Sequence, residues 1–222
     1  MFQGWGFLFS ARAVTNSMCT EEIMKTPIMF SVILLILCLP LSASAQKESG
    51  NLIKNGDFEK FTGENPDAWD TSNIPGTLTV VSASKTSHLG ARAVKCEVKE
   101  FYGSIVAGYV CQKNIQTEGK ELHFSGGFLM RSIEGDQGVI VICFLNSTGS
   151  TVGTIEEYLD DSKSKFVEYA KDIKPPAATA AVHVRLTVLP GKGNEKAHPG
   201  SYLLADDLRL VGVAPKEKPL VQ

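Results

Sequence analysis

The sequence of 222 residues lacks an excess of charge of either sign, since 22 lysines and arginines stand against 24 aspartates and glutamates. A nucleic-acid-binding domain usually carries a basic stripe, so this balance argues against a nucleic-acid partner. Hydrophobic residues make up 43% of the chain and charged residues 21%, which is typical of a chain that folds around a core. The length leaves room for one good-sized domain and a further segment.

Catalytic motifs are also missing. The chain has no Gly-x-Ser-x-Gly, no His-Glu-x-x-His and no P-loop pattern, and its four histidines show no metal-ligand spacing. Its acidic pairs, Glu156-Glu157 and Asp160-Asp161, are interpreted as a solvated stretch, because adjacent residues of a strand point apart and do not form the carboxylate pair of a glycosidase. The sequence therefore predicts that the protein is not an enzyme.

No apolar run is long enough to cross a bilayer comfortably, which takes about 20 residues. The longest run, 28–39, precedes small residues at the −1 and −3 positions of a cleavage site after Ala45. This pattern predicts a signal peptide over residues 1–45 and a secreted, periplasmic or extracellular protein, with an uncleaved anchor as the alternative. Residues 1–23 are interpreted as an overextended start, because Met24 begins a signal peptide of ordinary length.

Cysteine is scarce, and only Cys96, Cys111 and Cys143 follow the predicted cleavage site. An exported chain permits disulfides, but three cysteines form one pair at most. None has the spacing of a metal site. We interpret the three as small buried apolar residues, with a Cys96–Cys111 bridge as the alternative.

Residues 46–212 lack the apolar period of a helix and show short alternating runs between turn residues. Gly138–Leu145 is apolar on both faces, which is typical of a central strand, whereas Thr151–Leu159 fits either a strand or a short helical turn. The pattern predicts an all-β fold, a β-sandwich of two antiparallel sheets, followed by a loose tail over 213–222. The alternating positions are Leu78 and Val80; Val94, Cys96 and Val98; Leu122, Phe124, Phe128 and Met130; Val182, Val184, Leu186 and Val188; and Leu204, Asp206, Leu208 and Leu210.

Five short segments carry a resemblance to a known family. They are Asn51–Glu59 (NLIKNGDFE), Pro66–Trp69 (PDAW), Ser87–Val94 (SHLGARAV), Val110–Ile115 (VCQKNI) and Tyr202–Leu210 (YLLADDLRL). In this order they resemble CenC-like carbohydrate-binding modules, which belong to the galactose-binding-like superfamily. The resemblance covers residues 50–212. It implies a jelly-roll β-sandwich that binds poly- or oligosaccharide on a concave sheet face or at a loop rim, without catalysis.

The resemblance also implies a structural Ca²⁺, held by Glu59 and Asp206 with carbonyl oxygens of residues 87–90. Carboxylates brought together by the first and last strands repel each other unless a cation neutralises them, and Ca²⁺ accepts about six to eight oxygens. Asp57 and Asp207 are weaker candidates for the same role. The alternative is that Asp57 caps a turn and Asp206 accepts a hydrogen bond from a backbone amide.

Aromatic side chains supply one set of candidate ligand contacts, because the C–H bonds of a sugar ring stack on an aromatic face. Trp69 is expected to pack in the core, as the tryptophan at this place usually does in the family. The remaining aromatic candidates are Phe101, Tyr102, Tyr109, Tyr158 and Tyr169. Phe101 and Tyr102 precede a glycine in a predicted loop, so we expect at least one of these two rings to be exposed.

Polar side chains of two predicted strands form a second set, with His123, Ser125 and Arg131 on one strand and His183, Arg185 and Thr187 on the other. If the strands are neighbours, these side chains line a face turned away from the core and can donate hydrogen bonds to sugar hydroxyls or to an acidic glycan. The alternative is an ordinary solvated face. The predicted ligand-binding residues are therefore Phe101, Tyr102, Tyr109, His123, Arg131, His183 and Arg185.

Two functional hypotheses follow from these observations. The first is a secreted, non-catalytic carbohydrate-binding protein whose partner is a polysaccharide or glycan. The second is an extracellular or envelope β-sandwich that serves a structural or protein-interaction role without binding glycan. A separate secreted hydrolase or an envelope protein is a further predicted partner, since modules of this kind usually accompany a glycosidase.

Overall fold

The computed structural model describes residues 50–117, 121–162 and 164–213. The predicted signal peptide and residues 214–222 of the predicted tail lie outside these ranges. The described residues form strands and turns, and they include no helix long and apolar enough to span a membrane.

Thirteen strands make up the described part of the chain. They are β1 (Phe61–Thr62), β2 (Asn65–Pro66), β3 (Asp70–Thr71), β4 (Val81–Ser84), β5 (Ala93–Phe101), β6 (Ser104–Ala107), β7 (Tyr109–Gln116), β8 (Glu121–Arg131), β9 (Gln137–Leu145), β10 (Thr151–Leu159), β11 (Val167–Ile173), β12 (Ala181–Leu189) and β13 (Tyr202–Val213). The stretch that the sequence left open between strand and helical turn is therefore strand β10.

The long strands form two antiparallel sheets, which confirms the predicted all-β sandwich. The five-stranded sheet has the order β10-β9-β12-β7-β3, and the six-stranded sheet has the order β11-β8-β13-β5-β4 with β6 paired to β5. Strands β1 and β2 form a separate small hairpin. Strand β9, predicted as central, has a neighbour on each side within its sheet.

The core lies between the inner faces of the two sheets. Alternating residues of β5 and of β12, such as Val94 and Val98 or Val184 and Leu186, are fully buried there as their patterns predict. Trp69 is only 6% exposed and its ring lies 5.2 Å from that of Phe58, so the prediction that it packs in the core is confirmed.

The three cysteines in the described residues are all free thiols, and no Cys96–Cys111 bridge forms. Cys96 and Cys111 are buried, and burial raises the pKa of Cys96 to about 12. Cys143 is partly exposed.

Strand β13 does not keep the predicted alternation. Leu203 and Leu208 both lie in the core although an odd number of positions separates them. Leu204, which the prediction placed on the same side as Leu208, is therefore on the opposite side of the strand from the core. The register with β8 shifts between Asp206 and Arg209. This β-bulge inserts one residue and turns Asp206 away from the core, toward the loop that precedes β5.

Candidate functional site

The outer face of the five-stranded sheet presents one row of side chains that crosses all five strands. The register places Glu156 of β10 beside Val141 of β9, Val141 beside Arg185 of β12, Arg185 beside Cys111 of β7, and Cys111 beside Asp70 of β3. Directly paired residues of neighbouring strands lie on the same face of a sheet. Arg185 therefore stands at the centre of the row between Val141 and Cys111, and an acidic residue lies at each end.

A second row on the same face carries two tyrosines. Tyr158 of β10 pairs with Val139 of β9, which pairs with Thr187 of β12, which pairs with Tyr109 of β7. Tyr158 is 51% exposed, while Val139 is fully buried beneath the surface of the face. The two rows together form what we call the tyrosine face, defined by Tyr109, Val139, Val141, Glu156, Tyr158 and Arg185.

Arg185 is exposed and stacks on one of these tyrosines, with its guanidinium carbon 4.1 Å from the centroid of the Tyr109 ring. A cation over a tyrosine ring is attracted by the negative face of the ring. Beside it, Nε2 of His183 lies 3.2 Å from Oδ1 of Asn114. Burial, assisted by the nearby charge of Lys113, lowers the pKa of His183.

Glu156 on the tyrosine face and Asp70 at the edge of the sheet each have a partner. The hydroxyl of Tyr158 donates a hydrogen bond of 2.7 Å to Glu156, and this bond raises the pKa of Tyr158. At the opposite end of the row, Asp70 forms an ion pair of 2.9 Å with Lys113. Glu157 points the other way and pairs with a lysine of β11, so the prediction that adjacent glutamates point apart is confirmed.

An open pocket of about 580 Å³ extends the face at the β3 end. Strand β3 pairs with β7 at only two positions, so residues 112–116 of β7 have no strand on that side. The pocket is lined there by Asp70 and Lys113 together with Lys54 and Ala68. A long ligand that crosses the strands can therefore continue into this space beyond the edge of the sheet.

Three predicted ligand residues, Tyr109, His183 and Arg185, meet on this side of the five-stranded sheet. The prediction that His123 and Arg131 share a face with them is wrong. Strand β8, which carries both, pairs with β11 and β13 in the other sheet, whereas β12 pairs with β7 and β9. Each set lies on its own sheet, so the two sets do not form one surface.

Phe101 and Tyr102 lie in a tight hairpin between β5 and β6, apart from the tyrosine face in the sheet order. Tyr102 is 92% exposed, as expected for one ring of the predicted loop, and its centroid lies 4.4 Å from that of Phe101. Its φ of 48° and that of 75° for Gly103 fit a two-residue turn.

Four residues of the tyrosine face were not among the predicted ligand residues: Val139, Val141, Glu156 and Tyr158. Tyr158 was one of several aromatic candidates, and Glu156 was interpreted as part of a solvated acidic stretch. Thr154, Glu156 and Tyr158 do alternate in the sequence, which is the signal of a strand with one polar face. The sequence alone did not show that this strand lies at the edge of the same sheet.

Glu59 and Asp206 both bind the loop before β5 through its backbone amides. Oε1 of Glu59 accepts hydrogen bonds from the amides of Ala91 and Arg92 at 2.7 and 3.1 Å. Oδ2 of Asp206 accepts from the amides of His88 and Leu89 at 2.8 and 2.9 Å. Burial raises the pKa of Asp206 although these amides act to lower it.

The calcium site that the resemblance implies stays a prediction, and the contacts of its two carboxylates are with N–H donors of the loop. Ca²⁺ binds oxygen ligands, whereas the loop turns N–H donors toward both carboxylates. In the part of the chain that the structure describes, no three acidic, histidine or cysteine side chains form a group that could hold a metal, whereas the predicted site uses two carboxylates and backbone carbonyls. Asp206 has the geometry of the alternative stated above, in which its carboxylate accepts hydrogen bonds from backbone amides.

A serine, a histidine and an aspartate also meet at the start of β13, but not in the order of a catalytic triad. Asp136 is the central residue: Ser201 donates its hydroxyl proton to Oδ2 at 2.7 Å, and Nδ1 of His198 lies 3.1 Å from Oδ1. A nucleophilic serine would instead give its proton to the histidine. Asp136 and Ser201 are both buried, so this cluster holds a loop in place.

Comparison with known proteins gives a fold and no family. No family model matches the chain, and no curated protein matches its sequence. Similar solved structures include the enzymatically active domain of tailspike protein 4 of bacteriophage CBA120 (TM-score 0.53, 16% identity, covering 73% of this chain and 21% of that one). Others are a family 16 carbohydrate-binding module (0.50, 16%, 72% and 99%) and an arabinose-bound GH51 α-L-arabinofuranosidase (0.51, 14%, 74% and 26%).

The chain thus spans about a fifth of the tailspike chain and about a quarter of the arabinofuranosidase chain, but nearly all of the carbohydrate-binding module. At these identities the likeness concerns the fold alone. The fold is an antiparallel β-sandwich similar to that of the family 16 carbohydrate-binding module.

Proposed function

We propose that the protein is a secreted, non-catalytic carbohydrate-binding protein of the CenC-like type, which binds poly- or oligosaccharide across the tyrosine face. The observation that carries this proposal is that the exposed Tyr158 and Arg185 and the half-buried Tyr109 lie on one face of a sandwich whose fold is similar to that of a carbohydrate-binding module. Export by the predicted signal peptide belongs to the same proposal.

The tyrosine face has the chemistry that a sugar chain needs. Tyr158 presents a half-exposed ring on which the apolar side of a pyranose can stack, and the partly exposed Val141 supplies an apolar floor beside it. Glu156 and Arg185 stand on either side of this floor and can form hydrogen bonds with hydroxyl groups. A mostly apolar surface with a few oriented polar groups is typical of a small-molecule or glycan site.

The test is affinity electrophoresis of the purified protein through gels that contain soluble β-glucan, xylan, mannan or pectic polymers. We expect at least one polymer to retard the protein. Replacing Tyr158 with alanine should weaken that retardation by about tenfold or more, because a central aromatic contact is typically worth at least that in binding. The matched control is Tyr102→Ala, which removes an even more exposed tyrosine from the hairpin between β5 and β6.

Two results would contradict the proposal. If no polymer retards the folded protein, the alternative of a structural or protein-interaction sandwich is favoured. If retardation survives Tyr158→Ala but is lost with Tyr102→Ala, the protein binds glycan at its loop rim and not on the tyrosine face.

A further inference from the structure

Five surface cations of the described residues are matched by a carboxylate. Lys113 pairs with Asp70, Lys95 and Lys99 pair with Glu97, Lys171 pairs with Glu157 and Arg209 pairs with Asp207. Arg185 is not among these five, since no carboxylate within the described residues lies at ion-pair distance from it. Its close contact is with the ring of Tyr109.

The position of Arg185 makes this difference relevant to the ligand. Its strand is the third of five, so the guanidinium stands at the centre of the tyrosine face. Its neighbours in the row are Val141 and Cys111, neither of which carries a negative charge at neutral pH, since burial raises the pKa of the Cys111 thiol. The acids at the two ends, Glu156 and Asp70, already have partners.

The contact with Tyr109 holds the guanidinium over the ring without pairing its N–H groups with a carboxylate of the described residues. A guanidinium offers two parallel N–H donors, which match the two oxygens of a carboxylate, and such a charged bidentate pair is about twice as strong as a neutral hydrogen bond. A sugar hydroxyl offers no second oxygen in the same plane. The centre of the face is therefore better suited to a carboxylate than to a hydroxyl group.

We infer that the polysaccharide bound by the tyrosine face contains uronic acid residues, and that Arg185 binds the carboxylate of one of them. This inference rests on the proposed function and narrows its ligand to one class. The remaining cation near the centre, Lys113, is held by Asp70 at the edge, so Arg185 provides the charge that distinguishes an acidic polymer from a neutral one.

The experiment compares polymers that differ in charge more than in backbone. Polygalacturonate and alginate supply carboxylates, fully methyl-esterified and carboxyl-reduced polygalacturonate keep the backbone without the charge, and β-glucan and xylan serve as neutral polymers. We expect the acidic polymers to retard the protein at least about tenfold more strongly than the uncharged forms. This retardation should weaken as salt is added, since the interaction is between exposed charges.

Three variants separate the role of Arg185 from that of surface charge in general. Arg185→Gln should lose about tenfold or more in affinity for the acidic polymer, and Arg185→Lys should recover only part of it, because an ammonium is a point charge without the planar pair of donors. Arg209→Gln removes a cation that is paired with Asp207 on the other sheet, and it should bind as the parent does. Circular dichroism checks that each variant is folded.

The outcomes distinguish this inference from the proposed function. If acidic and uncharged forms retard the protein equally, or if Arg185→Gln binds the acidic polymer as the parent does, the uronate inference fails while glycan binding stands. If Arg209→Gln weakens binding as much as Arg185→Gln, the attraction is to overall charge and the inference also fails. If no polymer of either kind retards the folded protein, the proposed function itself fails.

Discussion

Replacing Asp136 with asparagine is expected to lower the free energy of unfolding by about 3 kcal/mol. The carboxylate is 1% exposed and accepts hydrogen bonds from the amide of His198 at 2.6 Å, from the hydroxyl of Ser201 at 2.7 Å and, more weakly, from the amide of Gly191 at 3.4 Å. An asparagine amide group would place its own N–H donors against some of these donors. Urea unfolding followed by circular dichroism measures the loss.

The loss of unfolding free energy in Asp136→Asn should become smaller as the pH falls. Burial acts to raise the pKa of Asp136, but the hydrogen bonds from His198 and Ser201 outweigh it, and the pKa lies below its ordinary value near 3.8. A lowered pKa means that the ionised carboxylate stabilises the folded state above the ordinary value, and that this contribution disappears as the pH falls through the lowered one. The gap between the parent and Asp136→Asn should therefore be constant near neutrality and shrink below about pH 4.

The matched control is Asp172→Asn, which removes a carboxylate that also contacts a histidine, His123, at 2.6 Å. That carboxylate is 89% exposed, and an exposed ion pair contributes little, so the free energy of unfolding should change by less than about 0.5 kcal/mol. Equal stability of Asp136→Asn and the parent would show that other contacts hold the loop before β13.

The fold could be predicted because its signal is local. In β5 and β12 the apolar residues recur at every second position, and this alternation is enough to identify a strand with one buried face. Strand β10 was ambiguous because Glu157 interrupts its apolar face, on which Ile155 and Leu159 pack against the core. As the edge strand of its sheet it has fewer buried positions to mark it.

The bulge in β13 could not be predicted from alternation. It depends on Asp207 adopting a φ of 51°, in the left-handed region that aspartate tolerates better than most residues. One inserted residue reverses the faces on its two sides, so Asp206 leaves the core side on which the simple alternation placed it. The sequence contains two adjacent aspartates there but does not show which of them faces outward.

The candidate site could be predicted only in part, because alternation along one strand does not show which strands lie beside it. His183 and Arg185 are two positions apart in β12, and this spacing within a single strand was enough to place them on one face. The neighbours of β12 depend on contacts between residues far apart in the chain. The alternation within one strand does not predict these contacts. The grouping of these residues with His123 was therefore wrong, while the partnership of Arg185 with Tyr109 on β7 appears only in the folded sheet.

Replacing Asp206 with alanine is expected to destabilise the fold by about 3 to 5 kcal/mol, measured by urea unfolding. The side chain is fully buried, and its Oδ1 accepts the amide of Asp207 at 2.8 Å while Oδ2 accepts the amides of His88 and Leu89. Alanine leaves these three part-buried donors without their acceptor. Asp57→Ala is the control, because Asp57 is exposed and its removal should cost less than about 0.5 kcal/mol.

The melting temperatures of Glu59→Gln and of the parent with EDTA test whether Glu59 and Asp206 accept loop amides or hold calcium. If they act as acceptors for the loop amides, the side chain of the Glu59→Gln variant keeps the oxygen that binds Ala91 and Arg92. The melting temperature of this variant should then stay close to that of the parent, and neither EDTA nor added Ca²⁺ should shift it. A resident calcium would require the charge of Glu59, and at about a hundred times its dissociation constant it would add about 2.7 kcal/mol to the stability. A large fall in melting temperature on adding EDTA, matched by an equal fall in Glu59→Gln, would therefore overturn the amide-acceptor interpretation and restore the cation.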